Sequence, residues 1–164
     1  MGLLKEIIED ITGQSSRPQI KGNRFEKFIS EQVFTDILFD LVEMTQSWES
    51  NSDRFEERSL NPDFKFRDKR TGETFWVEAK FRSSTFINSR NQEVCEICTQ
   101  VQLKRYQDVE KSTGYKVYIC LGLGGDPQYP QTIHLIPVAT AYSQLFISRL
   151  KETLLWEDKD GYKT

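Results

Sequence analysis

Two acidic residues and a lysine stand at positions that a β-hairpin would bring together. Asp63 follows Pro62 at the start of an alternating segment, and Glu78 and Lys80 lie on a second one. Residues 69–72, with the sequence Lys-Arg-Thr-Gly, have the composition of a four-residue turn. Paired residue numbers in an antiparallel ladder keep a constant sum, so this turn places Asp63 opposite Glu78. We therefore expect both carboxylates and the amine on one face of the hairpin.

The same register divides the hairpin into an apolar and a polar face. It places Phe64 opposite Val77 and Phe66 opposite Phe75, which gives one face a continuous apolar surface. Side chains alternate between the faces with a period of two. The opposite face then carries Asp63, Lys65, Arg67, Trp76, Glu78 and Lys80.

Facing acids on a strand surface indicate a bound cation. Carboxylates about 5 Å apart repel and raise one another's pKa unless a positive charge lies between them. Oxygen ligands suit Mg²⁺ or Mn²⁺, which keep several waters and accept substrate phosphate oxygens. Lys80 would lower the pKa of an attacking water or neutralise negative charge that develops on phosphorus. The predicted chemistry is hydrolysis of a phosphodiester by metal-activated water.

The cysteines and the histidine do not predict a second metal site. Cys95 and Cys98 form a C-x-x-C pair, but Cys120 stands alone and His134 is the only histidine. The second ligand pair of a zinc site is therefore missing. We expect His134, which is flanked by apolar residues, to be a core or edge residue.

Length and composition predict one globular domain. The 164 residues are 37% hydrophobic and 29% charged. No apolar run approaches the roughly 18 residues of a membrane span, and residues 1–10 lack the pattern of a signal peptide. We expect a cytoplasmic protein with no membrane partner. Residues 1–164 are interpreted as one nuclease-like domain, with a helical extension over 1–21, a core over 22–150 and a tail over 151–164.

The uneven distribution of charge favours contact with phosphate in the middle of the chain. The net charge is -3, but residues 61–116 hold 11 Lys/Arg against 8 Asp/Glu. Lysine and arginine contacts to backbone phosphates supply affinity without reading sequence. An ordinary solvated surface is the alternative interpretation of these cations. The candidate nucleic-acid contacts are Lys65, Arg82, Lys104 and Arg105.

Periodicity predicts the remaining elements. Helices are expected over residues 2–12, 23–46, 94–112 and 139–150, the second with a possible break near Thr35. Strands are expected over 116–122 and 132–136, and the end of the tail, from Trp156, is expected to fray. Residues 47–61 and 83–91 read as connections. The order of these elements predicts an α/β fold, a three-layer α/β/α sandwich around a mixed central sheet.

The residues of the hairpin resemble a known nuclease motif. Pro62-Asp63, a spacer, and Glu78-Ala79-Lys80 are similar to the signature of the PD-(D/E)xK nuclease superfamily. That resemblance implies a restriction-endonuclease-like fold with its metal site on this hairpin. It implies that Asp63 and Glu78 bind Mg²⁺ or Mn²⁺ and that Lys80 acts on the nucleophile.

Two further segments extend the resemblance over residues 22 to about 136. Gly22-x-x-x-Glu26 resembles the glutamate that the superfamily often adds to the metal shell, so Glu26 would bind metal directly or through water. Residues 102–106 resemble the Q-x-x-x-Y motif of its exonuclease-like and resolvase-like branches. Gln102 and Tyr106 would then position the substrate strand or the water of the site.

Each of these residues also has a structural interpretation. Glu26 lies three residues after Asn23 and could be the N3 member of a capping box. Gln102 and Tyr106 have the i, i+4 spacing of a helix face packed on a sheet. A Glu-x-Lys sequence on a strand is common on a solvated face.

Together these residues predict a Mg²⁺-dependent deoxyribonuclease, either an endonuclease or an exonuclease. Its partner would be DNA, and sequence specificity would have to come from the loops at residues 47–61 and 83–92, from a homodimer or from a partner subunit. The alternative is a catalytically silent module of the same fold that binds nucleic acid or a partner protein.

Overall fold

A computed structural model describes residues 24–45 and 61–159. The helical elements are α1 (Arg24–Phe28), a π-helix (Ile29–Val33), α2 (Gln100–Thr113), a 3₁₀ turn (Val138–Thr140) and α3 (Ile147–Glu152). The strands are β1 (Phe39–Met44), β2 (Phe64–Asp68), β3 (Thr74–Arg82), β4 (Phe86–Ile87), β5 (Glu93–Glu96), β6 (Lys116–Asp126), β7 (Tyr129–Pro137), β8 (Gln144–Phe146) and β9 (Leu154–Glu157).

Six of the strands form a mixed central sheet. Its order is β1-β2-β3-β6-β7-β9, with β3 and β6 parallel and the other neighbours antiparallel. A parallel pair needs a long crossover connection, and here the connection includes α2. The other three strands form a smaller antiparallel sheet in the order β4-β5-β8.

Helical elements cover the central sheet on both faces, as the sequence predicts. On one face, Leu103, Tyr106 and Val109 of α2 pack on β3 and β6 in a buried cluster that includes Trp76. On the other face, α1 and the π-helix pack in a second buried cluster through Phe25 and Ile29. Because alternate residues of β3 enter different clusters, this strand is buried on both sides.

A glycine allows α1 to lie directly on the sheet. A Cβ atom at Gly122 of β6 would lie 2.5 Å from a ring carbon of Phe25, closer than real Cβ atoms approach their neighbours. Phe25 is fully buried in this position. The missing side chain of Gly122 therefore makes room for the ring of Phe25, and α1 also carries Glu26.

The predicted hairpin forms with the predicted register. Phe64 pairs with Val77 and Phe66 with Phe75, and all four side chains are buried. The backbone N–H of Asp68 donates to the carbonyl of Glu73 at 2.8 Å, which closes the four-residue turn. Gly72 has a φ of 75°, a left-handed conformation that glycine adopts without strain.

The helix predicted over residues 23–46 is wrong beyond Val33. The chain turns near Thr35 and continues as β1, which pairs with β2 at the sheet edge. Phe39 and Leu41 pack against the core, whereas Val42 is 49% exposed. Apolar residues in this segment alternate as in a strand, but their spacing also matches a helix, which explains the wrong prediction.

The other two predicted helices are shorter than expected. Residues 93–96 form β5, and α2 begins only at Gln100, after the N-cap residue Thr99. Its end at Gly114 agrees with the predicted C-cap, because that glycine has a φ of 74°. The segment 139–150 contains a 3₁₀ turn, β8 and the start of α3 instead of one helix.

The predicted strands at residues 116–122 and 132–136 are confirmed, and both continue further, as β6 and β7. The connection predicted at 83–91 contains the short strand β4. Trp156, at the start of the segment expected to fray, pairs with Ile133 in β9. The predicted helix 2–12 and the connection from residue 47 to residue 60 lie outside the described residues. Within residues 24–45 and 61–159, no helix is long and apolar enough to cross a membrane.

Candidate active site

Asp63 and Glu78 interlock across the hairpin. The backbone N–H of Asp63 donates to Oε2 of Glu78 at 3.1 Å. In the other direction, the backbone N–H of Ala79 donates to Oδ2 of Asp63 at 2.8 Å. Each carboxylate is therefore held by a backbone amide at or next to the position of the other acid. The structure brings together the two acids that the predicted register places opposite each other.

Glu78 contacts Asp63, Tyr106 and Lys80, and it is 9% exposed. Its Oε1 accepts a hydrogen bond from the hydroxyl of Tyr106 at 2.8 Å. The same oxygen lies 3.6 Å from Nζ of Lys80, whose side chain is mostly buried. Lys80 follows Glu78 by two residues on β3, so both side chains leave the same face of the strand.

Burial and mutual repulsion control the protonation of the acids. Burial raises the pKa of Asp63 well above its ordinary value, and the charges of Glu78 and Glu26 raise it further. The Ala79 amide and Lys80 oppose this shift without reversing it. Burial, and then the charge of Glu78, raise the pKa of Glu26 as well. Glu26 is thus an electrostatic neighbour of both acids.

Tyr106 remains protonated at this site. Burial raises the pKa of its hydroxyl far above the ordinary value, and the charge of Glu78 and their hydrogen bond add to the shift. The hydroxyl is therefore a hydrogen-bond donor, and the carboxylate of Glu78 is its acceptor. Tyr106 is fully buried, so it acts on Glu78 from inside the core.

The donor set fits a small, hard divalent cation. The acids offer only carboxylate oxygens, and the ammonium group of Lys80 lies 3.6 Å from Oε1 of Glu78. Among the described residues, no three Asp, Glu, His or Cys side chains converge closely enough to form a complete metal-binding group. Mg²⁺ is commonly held by one or two carboxylates, with water and substrate phosphate in the other positions, so the two interlocked acids meet this minimum.

Gln102 lies at the first turn of α2 and does not join the acids. Its Oε1 accepts a hydrogen bond from the backbone N–H of Thr99 at 3.1 Å. Its own backbone N–H donates to Oγ1 of Thr99 at 3.1 Å, which completes a capping box. Of the predicted Gln102–Tyr106 pair, Tyr106 contacts an acid, whereas the amide of Gln102 caps its own helix. The capping interpretation of Glu26 depends on Asn23, which lies outside the described residues.

Arg82 joins two parts of the fold. Its guanidinium donates to the carbonyl oxygens of Glu96 at 2.8 Å, Ile97 at 3.1 Å and Phe81 at 3.0 Å. These bonds tie the end of β3 to the segment that follows β5. The predicted nucleic-acid contact is therefore a residue whose donors are already used by backbone carbonyls.

Lys65 and Lys104 also have partners. Nζ of Lys65 lies 5.1 Å from the ring centre of Trp76 and 4.6 Å from that of Tyr115. Nζ of Lys104 lies 3.0 Å from Oδ2 of Asp108, one turn further along α2, and its side chain is 77% exposed. Both lysines are nevertheless accessible to a ligand, because cation–π contacts and exposed ion pairs are weak.

Arg105 differs from the other predicted phosphate contacts. Its Cζ atom lies 5.3 Å from the ring centre of Tyr106. Its Nε is buried and has no hydrogen-bond partner among the residues that the structure describes. The hydroxyl of that same ring donates to the carboxylate of Glu78.

The remaining chemically reactive residues have structural surroundings. Cys95, Cys98 and Cys120 are free and buried. Nδ1 of His134 lies 2.7 Å from the carbonyl oxygen of Leu150, and its Nε2 lies 3.0 Å from Oγ1 of Thr132. His134 is thus a hydrogen-bonded core residue, as expected.

The backbone amides of Asp63 and Ala79 were not anticipated as part of the site. No side-chain pattern signals a backbone donor. Only the hairpin register could have indicated these donors, because it places the amide of Asp63 near Glu78 and the amide of Ala79 near Asp63.

No protein-family model matches the sequence, and no curated protein matches it. Among solved structures, the chain is similar to Hjc, a Holliday junction resolvase from the hyperthermophilic archaeon Archaeoglobus fulgidus. The TM-score is 0.54 at 14% sequence identity, and the match covers 81% of this chain and 94% of the resolvase. At this identity the similarity shows the fold alone. The predicted restriction-endonuclease-like α/β fold is thereby confirmed.

Proposed function

We propose that this protein is a divalent-metal-dependent nuclease that hydrolyses phosphodiester bonds in DNA. The observation that carries this proposal is the pair of interlocked acids, Asp63 and Glu78, with Lys80 and Tyr106 both directed at Glu78. Acids held close together repel one another and destabilise the fold, so a function such as binding a cation accounts for their arrangement.

The fold comparison favours DNA as the substrate. Hjc, the solved structure to which the chain is similar, is a Holliday junction resolvase. The positive balance of residues 61–116, the segment that carries the acids, agrees with a polyanionic substrate.

Asp63 and Glu78 would hold a Mg²⁺ or Mn²⁺ ion, with Glu26 reaching it directly or through water. When bound, the ion would lower the pKa of a water molecule and neutralise charge on the phosphate. Removal of the repulsion between the acids would favour binding of the ion to the folded protein.

Lys80 would act on the nucleophile and on the charge that develops at phosphorus. In the overall reaction, a water oxygen forms a bond to phosphorus and one P–O ester bond breaks. The electron pair of that bond leaves with the sugar oxygen, which takes up a proton, while the attacking water loses one. Lys80 would stabilise the added negative charge, and the 3.6 Å distance from its ammonium group to Oε1 of Glu78 supports this role.

Tyr106 and Gln102 would have different roles. Tyr106 acts as a positioning residue, because its hydroxyl fixes one oxygen of Glu78 from inside the core. Gln102 would position the substrate strand only after its side chain leaves the N–H of Thr99. Its contribution is therefore expected to be smaller than that of Tyr106.

The direct test is cleavage of labelled single-stranded, double-stranded and branched DNA and of RNA, with Mg²⁺, Mn²⁺ or chelator. Wild-type protein is expected to cut DNA only with metal, and Glu78→Gln and Lys80→Met to be inactive. Variants purified in parallel control for contaminating nucleases. DNA binding by the wild type without cleavage under any condition would favour the silent module. Full activity in Glu78→Gln would contradict the site.

A further inference from the structure

The four predicted phosphate contacts differ in what their charged groups already bind. The guanidinium of Arg82 is used by backbone carbonyls, the ammonium of Lys104 by Asp108, and Lys65 lies over two aromatic rings. Within residues 24–45 and 61–159, Arg105 forms no ion pair. Its buried Nε also has no hydrogen-bond partner there. An unsatisfied buried N–H is unfavourable, so this donor is suited to an acceptor that the protein itself does not supply.

The position of Arg105 brings its unsatisfied Nε donor near the acids. The guanidinium lies over the ring of Tyr106, and the hydroxyl of that ring binds Glu78. The guanidinium of Arg105 lies within hydrogen-bonding reach of that hydroxyl. This hydrogen bond and the charge of Arg105 oppose the rise in the pKa of Tyr106, which burial and Glu78 dominate. Arg105 therefore lies on the α2 side of the acids Glu26, Asp63 and Glu78.

The negative charge at this site leaves a role for a cation besides Lys80 and the proposed metal ion. Glu26, Asp63 and Glu78 interact electrostatically, and Lys80 already lies 3.6 Å from Glu78. A phosphodiester brings one further negative charge, and attack by water increases the charge on its non-bridging oxygens. Fixed donors at these oxygens are worth most where charge develops in a partly buried site.

We infer that Arg105 binds the phosphate group that undergoes hydrolysis, donating to its non-bridging oxygens. This inference rests on the proposed function. An arginine suits this position because its planar donors bind phosphate in a bidentate manner and stack on an aromatic ring. The neighbouring Lys104 lies on the same helix but is directed at Asp108, which makes it a matched control.

The test is a chemical double-mutant cycle on DNA binding in chelator, where no cleavage occurs. The probes are two oligonucleotides, one all-phosphate and one with a neutral methylphosphonate at the linkage that the wild type cuts. Arg105→Met keeps an apolar chain over Tyr106 and removes the charge. It should weaken binding of the all-phosphate probe about 10- to 100-fold, the range for a hydrogen bond between charged groups.

With the methylphosphonate probe, Arg105→Met and wild type should bind with nearly equal affinity. Lys104→Met should change the affinity for both probes by the same small factor. In cleavage assays with metal, Arg105→Met should lower kcat more than it raises KM, because the contact strengthens as charge develops. Arg105→Lys should recover part of the binding but not the full kcat.

Two results separate this inference from the proposed function. If the wild type cuts DNA but Arg105→Met weakens both probes equally, Arg105 contacts another phosphate or has a structural role, and the inference is overturned. If Arg105→Met melts so low that part of it is unfolded at the assay temperature, and this unfolded fraction accounts for the lost binding, the conclusion is the same. If the wild type cuts no nucleic acid with either metal, the proposed function fails and this inference fails with it.

Discussion

The hydroxyl of Tyr106 donates a hydrogen bond to Oε1 of Glu78 at 2.8 Å, and it does so across two elements of the fold. Tyr106 belongs to α2 and Glu78 to β3, which are packed together in the same buried cluster. The other oxygen of Glu78 accepts from the backbone N–H of Asp63. Both oxygens of this carboxylate are thus fixed by donors from different parts of the chain.

Replacement of Tyr106 by Phe should reduce both stability and activity. The change leaves a buried carboxylate oxygen without its donor, which is expected to lower the free energy of unfolding by about 1–3 kcal/mol. For a domain of this size, each kcal/mol lowers the melting temperature by roughly 2–4 °C. Cleavage should fall because Glu78 is less well oriented. Tyr142→Phe is the control, because that side chain is 71% exposed. A Tyr106→Phe protein with wild-type melting and wild-type cleavage would show that the hydrogen bond has no role.

Asp63 should make the metal-free protein less stable as the pH rises. Burial, and then the charges of Glu78 and Glu26, raise its folded-state pKa well above 3.8, so the folded state binds this proton more tightly than the unfolded state does. The stabilisation from that proton is present at low pH and is lost as pH rises through the raised pKa.

The substitution Asp63→Asn removes this titration and keeps an oxygen that accepts from the Ala79 N–H. We expect the variant to melt above wild type at pH 7 in chelator and to show a weaker pH dependence. A residual slope should remain, because the pKa of Glu26 is raised too. Thermal melts from pH 4 to pH 8 measure the effect. Lower stability of Asp63→Asn at pH 7 would mean that the aspartate is stabilised rather than strained.

Metal should stabilise the folded protein through the same acids. A ligand that binds only the folded state adds about 2.7 kcal/mol at 100 times its Kd, which raises the melting temperature by several degrees. We expect this rise with millimolar Mn²⁺ or Mg²⁺ in the wild type and its loss in Glu78→Gln. Glu73→Gln, at the opposite end of the hairpin, should keep the rise. Equal responses in the two variants would place the metal elsewhere. The melts should also be repeated with an oligonucleotide, because a phosphate group of the DNA could complete the metal site.

Arg82 should affect folding more than DNA binding. Its guanidinium donates to three carbonyl oxygens at the junction of β3 with the segment after β5. Arg82→Gln should therefore lower the melting temperature, whereas Lys104→Gln should leave it unchanged. The affinity of Arg82→Gln for DNA, measured well below its melting temperature, should stay close to that of the wild type. A selective loss of affinity without a change in melting would restore Arg82 as a phosphate contact.

The hairpin and its acids were predictable because their determinants are local. The turn at residues 69–72 and the alternation of Phe64 and Phe66 with polar residues define one register, and the register places Asp63 beside Glu78. Each of these signals acts over a few residues. Tertiary contacts then bury the apolar face and, through α2, also cover the face of β3 that carries Trp76 and Glu78.

Other features depend on contacts between distant segments. Phe39 and Leu41 could belong to a helix or a strand by their spacing, and pairing with β2 decides for the strand. Gln102 is the exception, because its bond to Thr99 is local: the T-x-x-Q spacing of a capping box was present in the sequence beside the prediction of a substrate contact. Two of the three carbonyls that accept from Arg82 lie 14 and 15 residues away, and no local pattern predicts them.

The tight turn at residues 69–72 has a consequence for how this chain can vary. Surface turns usually tolerate insertions and deletions. Here an added residue that shifted the ladder by one position would move Glu78 to the opposite side of the sheet, because neighbouring side chains alternate. A change in turn length that shifts the register would therefore disrupt the site as strongly as replacement of one of the acids. Lys69 and Arg70 are exposed, and their ion pairs with Asp40 and Asp68 lie on the surface, where such pairs contribute little. Their types are therefore less constrained than Gly72, which must keep its positive φ.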